Sequence, residues 1–533
     1  MTGLKKFKIA LTIGTALALA ACDGPVNVAS PGEAVLSGGG GGTGGGGTGG
    51  SGSGGSGGGG SGGTAAGNCP TGFTDLGTIV GGTLRNCLIP SLITGDVTVP
   101  LRTGTVYSLS GRVDVGIDRK GDFAAPVGTQ GILRIDAGVK IFGLSGTGLD
   151  YLVINRGSQI FAVGTATQPI IFTSKQNLEG TAGIDSFGQW GGIVILGRAF
   201  IANCPGATAA DQASLYSTAA CENEVEGTAA DYGGNSNTDN SGVLRYVRVL
   251  FAGFEVLPNV ELNGITFGGV GSGTTVDHIQ VHNNADDCVE FFGGVVSIKH
   301  LVCSGNDDDN FDTDQGYRGS IQFALILQAP ARGNHWFEAS LAANAAVNAA
   351  PAATTAPLPN REQRRSNPIV ANFTIVGSNT SPQANRSLLN TGTAYRAYNG
   401  VAVSTKAGTT CLDMDNAVET GTQAIFRSVV LSCPAGPLDS DNDGGGVGEE
   451  SNFFVSGSNN NVGAHVSTLS NTFINGANET AVTPVTFSAI AASELTTADK
   501  AQLTQVTYIG AVKDAADTWW SGWTCGIGGQ GAC

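Results

Sequence analysis

The chain has little charge and few helix signals. Only 13% of its 533 residues are charged, and it contains two methionines and five tryptophans, whereas glycine reaches 84 residues. Helical periodicity is absent from the apolar segments that follow Gly131. A glycine-rich chain of this kind is typical of turn-rich β architecture with few helices.

Common hydrolase and nucleotide-binding signatures are also absent. No G-x-S-x-G elbow lies between a strand and a helix, and there is no H-E-x-x-H zinc motif. The many Gly-x-Gly strings lack the strand, helix and lysine of a phosphate loop. The sequence therefore gives no ready catalytic assignment.

Positive charge is scarce. Acidic residues outnumber basic ones by 43 to 27, and the formal net charge is −16. Such a chain repels nucleic acid and anionic lipid headgroups. We therefore expect no nucleic-acid partner, and expect cations, or neutral ligands bound through cations.

Residues 1–21 have the pattern of a secretory signal peptide. Lysines precede an apolar run that is short for a transmembrane span, and small residues precede Cys22. A cysteine directly after the cut marks the bacterial lipoprotein type, so we predict that Cys22 is lipidated and anchors the chain to a membrane. Asp23 resembles an inner-membrane retention signal, but we favour the outer membrane of the bacterial cell envelope.

Residues 22–67 are predicted to form a disordered tether. From 38 to 63 the chain contains only Gly, Ser and Thr, a composition typical of a flexible coil. The tether would hold the folded part clear of the membrane. The alternative is a low-complexity expansion whose length has no function.

An internal repeat favours a solenoid over a β-sandwich. Residues 276–294 superpose on 298–316 with an offset of 22, so that Asp286 aligns with Asp308 and Val289 with Phe311. Short strands separated by Gly and Asn, with a period near 22 and three strands per turn, are typical of coils that stack on one another.

This pattern resembles the right-handed parallel β-helix. The segments 188–195, 286–292 and 310–316 are similar to those of a broad group of bacterial exported β-helix lipoproteins, over about residues 125–530. The fold also resembles that of polysaccharide lyases and β-helix surface proteins. The resemblance implies an all-β solenoid at 68–484 with a loop insertion at 339–368.

The segment 485–533 is predicted to be a C-terminal cap, because the last coil of a solenoid needs cover. It contains Trp519, Trp520 and Trp523, for which the alternative is an aromatic platform for a sugar ring. Within the loop insertion, Arg361, Arg364 and Arg365 are interpreted as solvated, with binding of an acidic sugar as the alternative.

Ten cysteines besides Cys22 predict disulfides, since an even number in an exported protein suggests pairing. Closure between sequence neighbours is the simplest connectivity, although others remain open. A bond between Cys288 and Cys303 is disfavoured because Cys303 aligns with Val281, on another side of the coil. The favoured bonds are Cys69–Cys87, Cys204–Cys221, Cys411–Cys433 and Cys525–Cys533.

Acidic residues recur in both copies of the repeat. If Val289 and Phe311 point into the core, strand alternation sends the neighbouring acids outward on one face of adjacent coils. Coils lie about 4.8 Å apart, so stacked carboxylates raise each other's pKa unless a cation lies between them. We predict calcium ligands here, in a neighbourhood that also holds Asp307 and Asp314: Asp286, Glu290, Asp308, Asp309 and Asp312.

A second calcium site is predicted at Asp439, Asp441, Asp443 and Glu450. These residues match the D-x-D-x-D-G-x5-E loop, in which closely spaced carboxylates surround a hard cation. Neither flank of the loop has a helical pattern. We therefore expect a structural calcium site on a β-helix loop, with an unoccupied acidic loop as the alternative.

Two function classes follow. The first is a non-catalytic surface module that binds polysaccharide or another envelope component. The second is a calcium-dependent lyase or a glycoside hydrolase that uses the acids at 286–314. In β-helix lyases calcium neutralises a uronate carboxylate while Lys or Arg removes a proton, and the resemblance offers Lys299 and Arg318 as candidate bases.

Overall fold

The computed structural model describes residues 63–533 apart from 147–148, 206–213, 258–259, 342–360, 391, 416–421 and 440–449. The predicted signal peptide, the lipidation site and most of the tether lie outside the described residues. Among the residues that are described, no helix has both the length and the apolar character needed to cross a membrane.

The fold is a parallel β-helix, as predicted, with two long sheets as its walls. Neighbouring strands come from successive coils and run parallel, except for the antiparallel pair β1–β2. Sheet A contains β1 (Thr74–Ile79), β2 (Leu84–Leu88), β4 (Gly95–Val99), β5 (Thr105–Leu109), β7 (Gly131–Ile135), β8 (Lys140–Gly143), β10 (Gln159–Val163), β11 (Ile170–Ser174), β15 (Gly242–Leu250), β19 (Thr275–His282), β21 (Ser297–Ser304), β23 (Ser320–Leu327), β25 (Ile369–Val376), β27 (Ala394–Val403) and β29 (Gln423–Ser432).

Sheet B forms the opposite wall from shorter strands. It contains β3 (Leu92–Ile93), β6 (Arg112–Val115), β9 (Tyr151–Ile154), β12 (Gly192–Leu196), β18 (Ile265–Gly268), β20 (Val289–Phe292), β22 (Phe311–Asp314), β24 (Phe337–Ala339), β26 (Ser387–Leu389) and β28 (Leu412–Met414). Two small hairpins lie outside both walls: β13 (Asn223–Glu224) with β14 (Asp231–Tyr232), and β16 (Glu255–Leu257) with β17 (Val260–Glu261).

Helical segments are short. They are α1 (Lys175–Leu178), α2 (Arg361–Arg364), α3 (Glu450–Phe453), α4 (Ala477–Thr480), α5 (Thr497–Gln502) and a 3-10 turn at Phe487–Ala489. Helix α5 begins after Thr496, whose hydroxyl accepts a hydrogen bond from the amide of Asp499.

The number of strands per coil changes along the solenoid. In the early coils β10 and β11 are separate strands, and the single long strand β15 pairs with both of them. The junction in β15 is Tyr246, which has a positive φ of 52°, and His278 and His300 occupy the same position in β19 and β21 with φ of 56° and 55°. The expected three strands per coil therefore become two, because one bent strand replaces two straight ones.

Apolar side chains from both sheets fill the space between the walls. The predicted offset of 22 is the observed register, since Val289 lies opposite Phe311 and Ile279 opposite Leu301. Phe311 in turn stacks on Phe337 one coil further on, with ring centroids 5.4 Å apart. Each coil thus buries its inward side chains on the equivalent residues of the next coil.

Five disulfides join sequence neighbours. The four favoured bonds are all formed. The disfavoured bond is formed as well, since Cys288 and Cys303 have Cα atoms 5.7 Å apart and are fully buried. The objection was wrong because Cys288 and Cys303, on different walls of successive coils, both face the interior core.

The C-terminal segment, which we call the strap (residues 485–533), lies along the outer face of sheet A. Trp523 packs against Val302 and Leu325. Gln280 donates a hydrogen bond from Nε2 to the carbonyl oxygen of Cys525 at 2.8 Å. The strap therefore covers apolar side chains that point outward from sheet A.

The end of the solenoid is covered by another segment. Phe454, which directly follows α3, belongs to the interior core and packs edge-on against Phe426 of β29. Residues near 454 thus pack at the last coil, whereas the strap at 485–533, which was predicted to be a cap, packs along a side wall.

Candidate functional site

Three acids stack along sheet B at the predicted position. Glu290 lies opposite Asp312, and Asp312 lies opposite Glu338 of the following coil. Val289 and Phe311 belong to the interior core, so strand alternation turns these acids away from the interior, as expected. Their exposed fractions are only 3%, 1% and 1%, however. The stack is therefore a buried feature and does not form an open groove.

An outer layer accounts for burial on this face of sheet B. Leu196 and Phe292 point outward and pack against Ile201, Tyr232 and Leu262, which come from the chain that follows β12 and from the outer hairpins. Phe292 is on the same strand as Glu290. The acids therefore lie in a sheet whose outer face has its own apolar cover.

Asp287, Glu290 and Asp312 form a compact oxygen cluster, which we call the acid cluster. One carboxylate oxygen from each residue lies within 4.8 Å of the others. Calcium binds oxygen at about 2.3–2.6 Å, so two ligands of one ion are separated by at most about 5 Å. The cluster therefore has the spacing and the oxygen-only donor set that calcium requires.

The neighbours of the acid cluster support this chemistry. Asn263 donates a hydrogen bond from Nδ2 to Glu290 at 2.6 Å, while its own Oδ1 is buried with no hydrogen-bond partner among the described residues. A buried amide oxygen without a partner is costly. Asp287 accepts a hydrogen bond from the amide of Asp309 at 2.9 Å. Asn263 could thus supply a further neutral oxygen to a cation.

Burial and crowding perturb the acids. Burial, together with the charges of Asp286 and Asp309, raises the pKa of Asp287 well above its ordinary value. Burial is also the main cause that raises the pKa of Asp308 to about 7. Without a cation, these carboxyl groups therefore retain protons near neutral pH.

A second buried group adjoins the acid cluster and contains a histidine. His335 Nδ1 lies 3.0 Å from Glu338 and 3.2 Å from Asp309. Burial opposes the ionisation of both His335 and Asp309, but their mutual attraction raises the pKa of His335 and lowers that of Asp309. Burial raises the pKa of Glu338. This group resembles an ion pair with a protonated carboxyl beside it.

The sequence reasoning missed His335 and Glu338. The repeat lengthens here, since Phe337 aligns with Phe311 at a spacing of 26 residues instead of 22. A signal was nevertheless present, because Phe337-Glu338 repeats the apolar-acidic order of Phe311-Asp312.

The remaining predicted acids have separate surroundings. Asp286 is 6% exposed in the turn before β20. Asp314 is fully buried and accepts hydrogen bonds from the amide of Gln315 and the hydroxyl of Ser340 at 2.6 and 2.7 Å. Burial raises the pKa of Asp307. Asp314 is therefore committed to protein donors.

The two candidate bases contact other parts of the chain. Lys299 is on sheet A, where its ammonium group donates to the hydroxyl of Thr504 in the strap at 2.9 Å. Arg318 follows β22 and donates to the carbonyl oxygen of Arg365 at 3.1 Å. Lys299 is therefore on a different wall from the acids, whereas Arg318 follows the sheet B strand that carries Asp312.

The second predicted calcium loop is described only at its ends. Asp439 pairs with Arg386, and Glu450 accepts a hydrogen bond from the amide of Met414 at 3.2 Å. Asp441 and Asp443 lie outside the described residues. A strand precedes the loop, as expected, whereas Glu450 begins the short helix α3. This site stays a prediction.

Two basic residues of the insertion differ from expectation, whereas the tryptophans pack as the preferred interpretation expects. Arg364 and Arg365 are 1% and 3% exposed, so these two residues are not solvated. Trp520 and Trp523 are 6% and 0% exposed within the strap. They serve packing and do not form an open platform for a sugar.

A family model supports the parallel β-helix fold of this chain. The family model described as a pectate-lyase-like beta helix domain matches residues 99–524. The crystal structure of pectate lyase Pel9A aligns with a TM-score of 0.35 and 12% identity, over 80% of this chain and 88% of that chain. A search of curated protein sequences gives no match.

Proposed function

The chain belongs to the pectate-lyase-like β-helix domain family, and we propose that it is a calcium-binding envelope lipoprotein whose β-helix binds a polysaccharide or another envelope component. The family suggests a polysaccharide-related role. The finer parts of the proposal rest on the residues of the acid cluster and on the N-terminal sequence.

The observation that carries the proposal is the acid cluster. Three buried carboxylates converge within 4.8 Å beside the unpartnered amide oxygen of Asn263. Calcium would neutralise their mutual repulsion and would hold adjacent coils together. Calcium is preferred to zinc because this cluster offers oxygen alone, whereas zinc favours nitrogen and sulfur.

A non-catalytic role is preferred because two requirements of a lyase are lacking in the described site. The acids are almost fully buried, so a sugar cannot contact an ion there without movement of the outer layer. Lys299 and Arg318 contact other parts of the chain. A calcium ion in the acid cluster would thus stabilise the coils of the β-helix that binds the polysaccharide or other envelope component.

The second candidate function is a calcium-dependent polysaccharide lyase, which the family description favours. In that case the outer layer would have to open, and a base other than Lys299 would be needed. A glycoside hydrolase remains the weaker form of this alternative.

Location is proposed from the sequence alone. The lysine-rich start, the apolar run and Cys22 favour export and lipidation, with the outer membrane preferred. The glycine-rich tether would then separate the β-helix from the bilayer.

A glycan array with the purified protein, read with and without calcium, tests the proposed binding. Each glycan that binds is then incubated with the protein, and ultraviolet absorbance reports any unsaturated uronide product. Calcium-dependent binding without product supports the binding module. Product formation that Asp287→Asn abolishes would establish the lyase instead, and absence of any bound glycan would contradict polysaccharide binding.

A further inference from the structure

A cavity of about 650 Å3 opens where strands of sheet A end, between the chain near Ile184, the turn after β23 and the C-terminal part of the chain. Its volume lies in the usual range of small-molecule pockets. Apolar or small residues form most of its wall, including Leu327, Ala329, Phe473 and Ile527. The cavity is on a different wall from the acid cluster.

Arg332 supplies the fixed positive charge of this cavity. Its guanidinium lies over the ring of Phe187 at 5.0 Å, and Nη2 donates to the carbonyl oxygen of Ile184 at 3.3 Å. Nη1 is buried and has no hydrogen-bond partner among the described residues. A buried donor that lacks an acceptor costs free energy, so Nη1 of Arg332 has room for one more hydrogen-bond acceptor.

The other polar residues of the wall do not supply that acceptor. His282 Nδ1 lies 2.9 Å from the hydroxyl of Ser304, and burial lowers the pKa of His282 to about 4. His282 is therefore neutral at pH 7 and adds no charge. Asp185 lines the cavity but is exposed, so solvent screens its charge.

We propose that this cavity binds a small amphiphilic carboxylate, with its apolar body against Leu327, Phe473 and Ile527 and its carboxylate on Arg332. The apolar wall disfavours a bare sugar acid, which would lose hydration without gaining polar partners. A carboxylate, in contrast, would complete the hydrogen bonding of Arg332 through a charge-assisted bond. This site is independent of the calcium and polysaccharide proposal.

Calorimetric titration of the purified full-length protein with cinnamate tests the proposal. Cinnamamide has the same apolar body without the charge, and galacturonate has the charge without the apolar body. We expect cinnamate to bind about ten- to hundredfold more tightly than cinnamamide, the usual worth of a hydrogen bond to a charged group. Comparable binding of cinnamamide or galacturonate, or no binding of cinnamate, would overturn the proposal.

Variants locate the site. Arg332→Gln should remove the preference for cinnamate over cinnamamide, and Ala329→Phe should weaken binding of both by filling the cavity. The matched control is Arg134→Gln, because Arg134 also lies over a phenylalanine, Phe161, at 4.6 Å but outside this cavity. Equal effects of Arg332→Gln and Arg134→Gln would refute the site. The comparison of ligands on the unaltered protein holds even if a variant does not fold.

Discussion

In the absence of calcium, the free energy of unfolding should fall as the pH rises from 6.5 to 8. Burial raises the pKa of Asp308 to about 7 and those of Asp287 and Glu338 well above their ordinary values. In the unfolded chain these carboxyl groups ionise near pH 4. The folded state therefore holds more protons than the unfolded state throughout this window.

The sign of the effect follows from proton linkage. When the folded state binds more protons, the free energy of unfolding falls as pH rises through the folded-state pKa. Asp308 alone contributes about 1 kcal/mol of this loss between pH 6.5 and 8, and the raised pKa values of Asp287 and Glu338 add to the loss in the same direction. His282, whose pKa is lowered to about 4, contributes in the opposite sense, mainly below pH 6.5, where its imidazole is protonated in the unfolded chain. His335, whose pKa is raised by its pairing with the acids, contributes in the same sense as they do.

Calcium should reverse this trend, because the ion binds the ionised carboxylates and competes with protons. At a calcium concentration one hundred times the dissociation constant, the stabilisation is about 2.7 kcal/mol. The melting temperature in excess calcium should therefore stay constant or rise over the same pH window. In chelator it should fall by several degrees.

Thermal unfolding followed by circular dichroism at four pH values, with chelator or with calcium, measures both slopes. Asp287→Asn with Asp308→Asn should reduce the metal-free slope, and His335 and Glu338 should account for the part that remains. The control is Asp96→Asn with Asp514→Asn, whose side chains are 49% and 50% exposed and should not affect it. Metal-free stability that is constant or increases from pH 6.5 to 8 would refute the assignment of protonated buried acids.

Three further outcomes are expected. Cys22→Ala should abolish acyl incorporation and leave unprocessed precursor, as measured by radiolabelled fatty acid, and normal processing would contradict lipidation. Thiol labelling of the unreduced, denatured mature protein should find at most two free cysteines, because five disulfides account for all ten cysteines besides Cys22; eight or more free cysteines would exclude the disulfides. Asp441→Asn with Asp443→Asn should reduce the calcium-dependent rise in melting temperature, and an unchanged rise would remove the second site.

The repeat could be predicted from the sequence because it depends on the local spacing of residues. An offset of 22 aligns Val289 with Phe311, and strand alternation then fixes which neighbours face inward. Both inferences require only the length of the repeat and the alternation of side chains along a strand. The orientation of Glu290 and Asp312 followed for the same reason.

The burial of the acids could not be predicted from the sequence, because the residues that cover them come from distant parts of the chain. Ile201 and Tyr232 precede Glu290 by many residues and pack on the outside of sheet B. Lys299 likewise is on sheet A, where its strand pairs with those of the neighbouring coils, whereas the acids are on sheet B. Such tertiary contacts leave no periodic signal in the acidic segments themselves.

The bond that the sequence argued against links the coils that carry the acid cluster. Cys288 directly follows Asp287, and Cys303 belongs to the next coil, which also carries Asp312. Repulsion between stacked carboxylates would otherwise push these coils apart. A buried covalent link between the two walls resists that separation, because the acids cannot move apart without moving the disulfide. The crosslink therefore keeps Glu290 and Asp312 in register whether or not a cation lies between them.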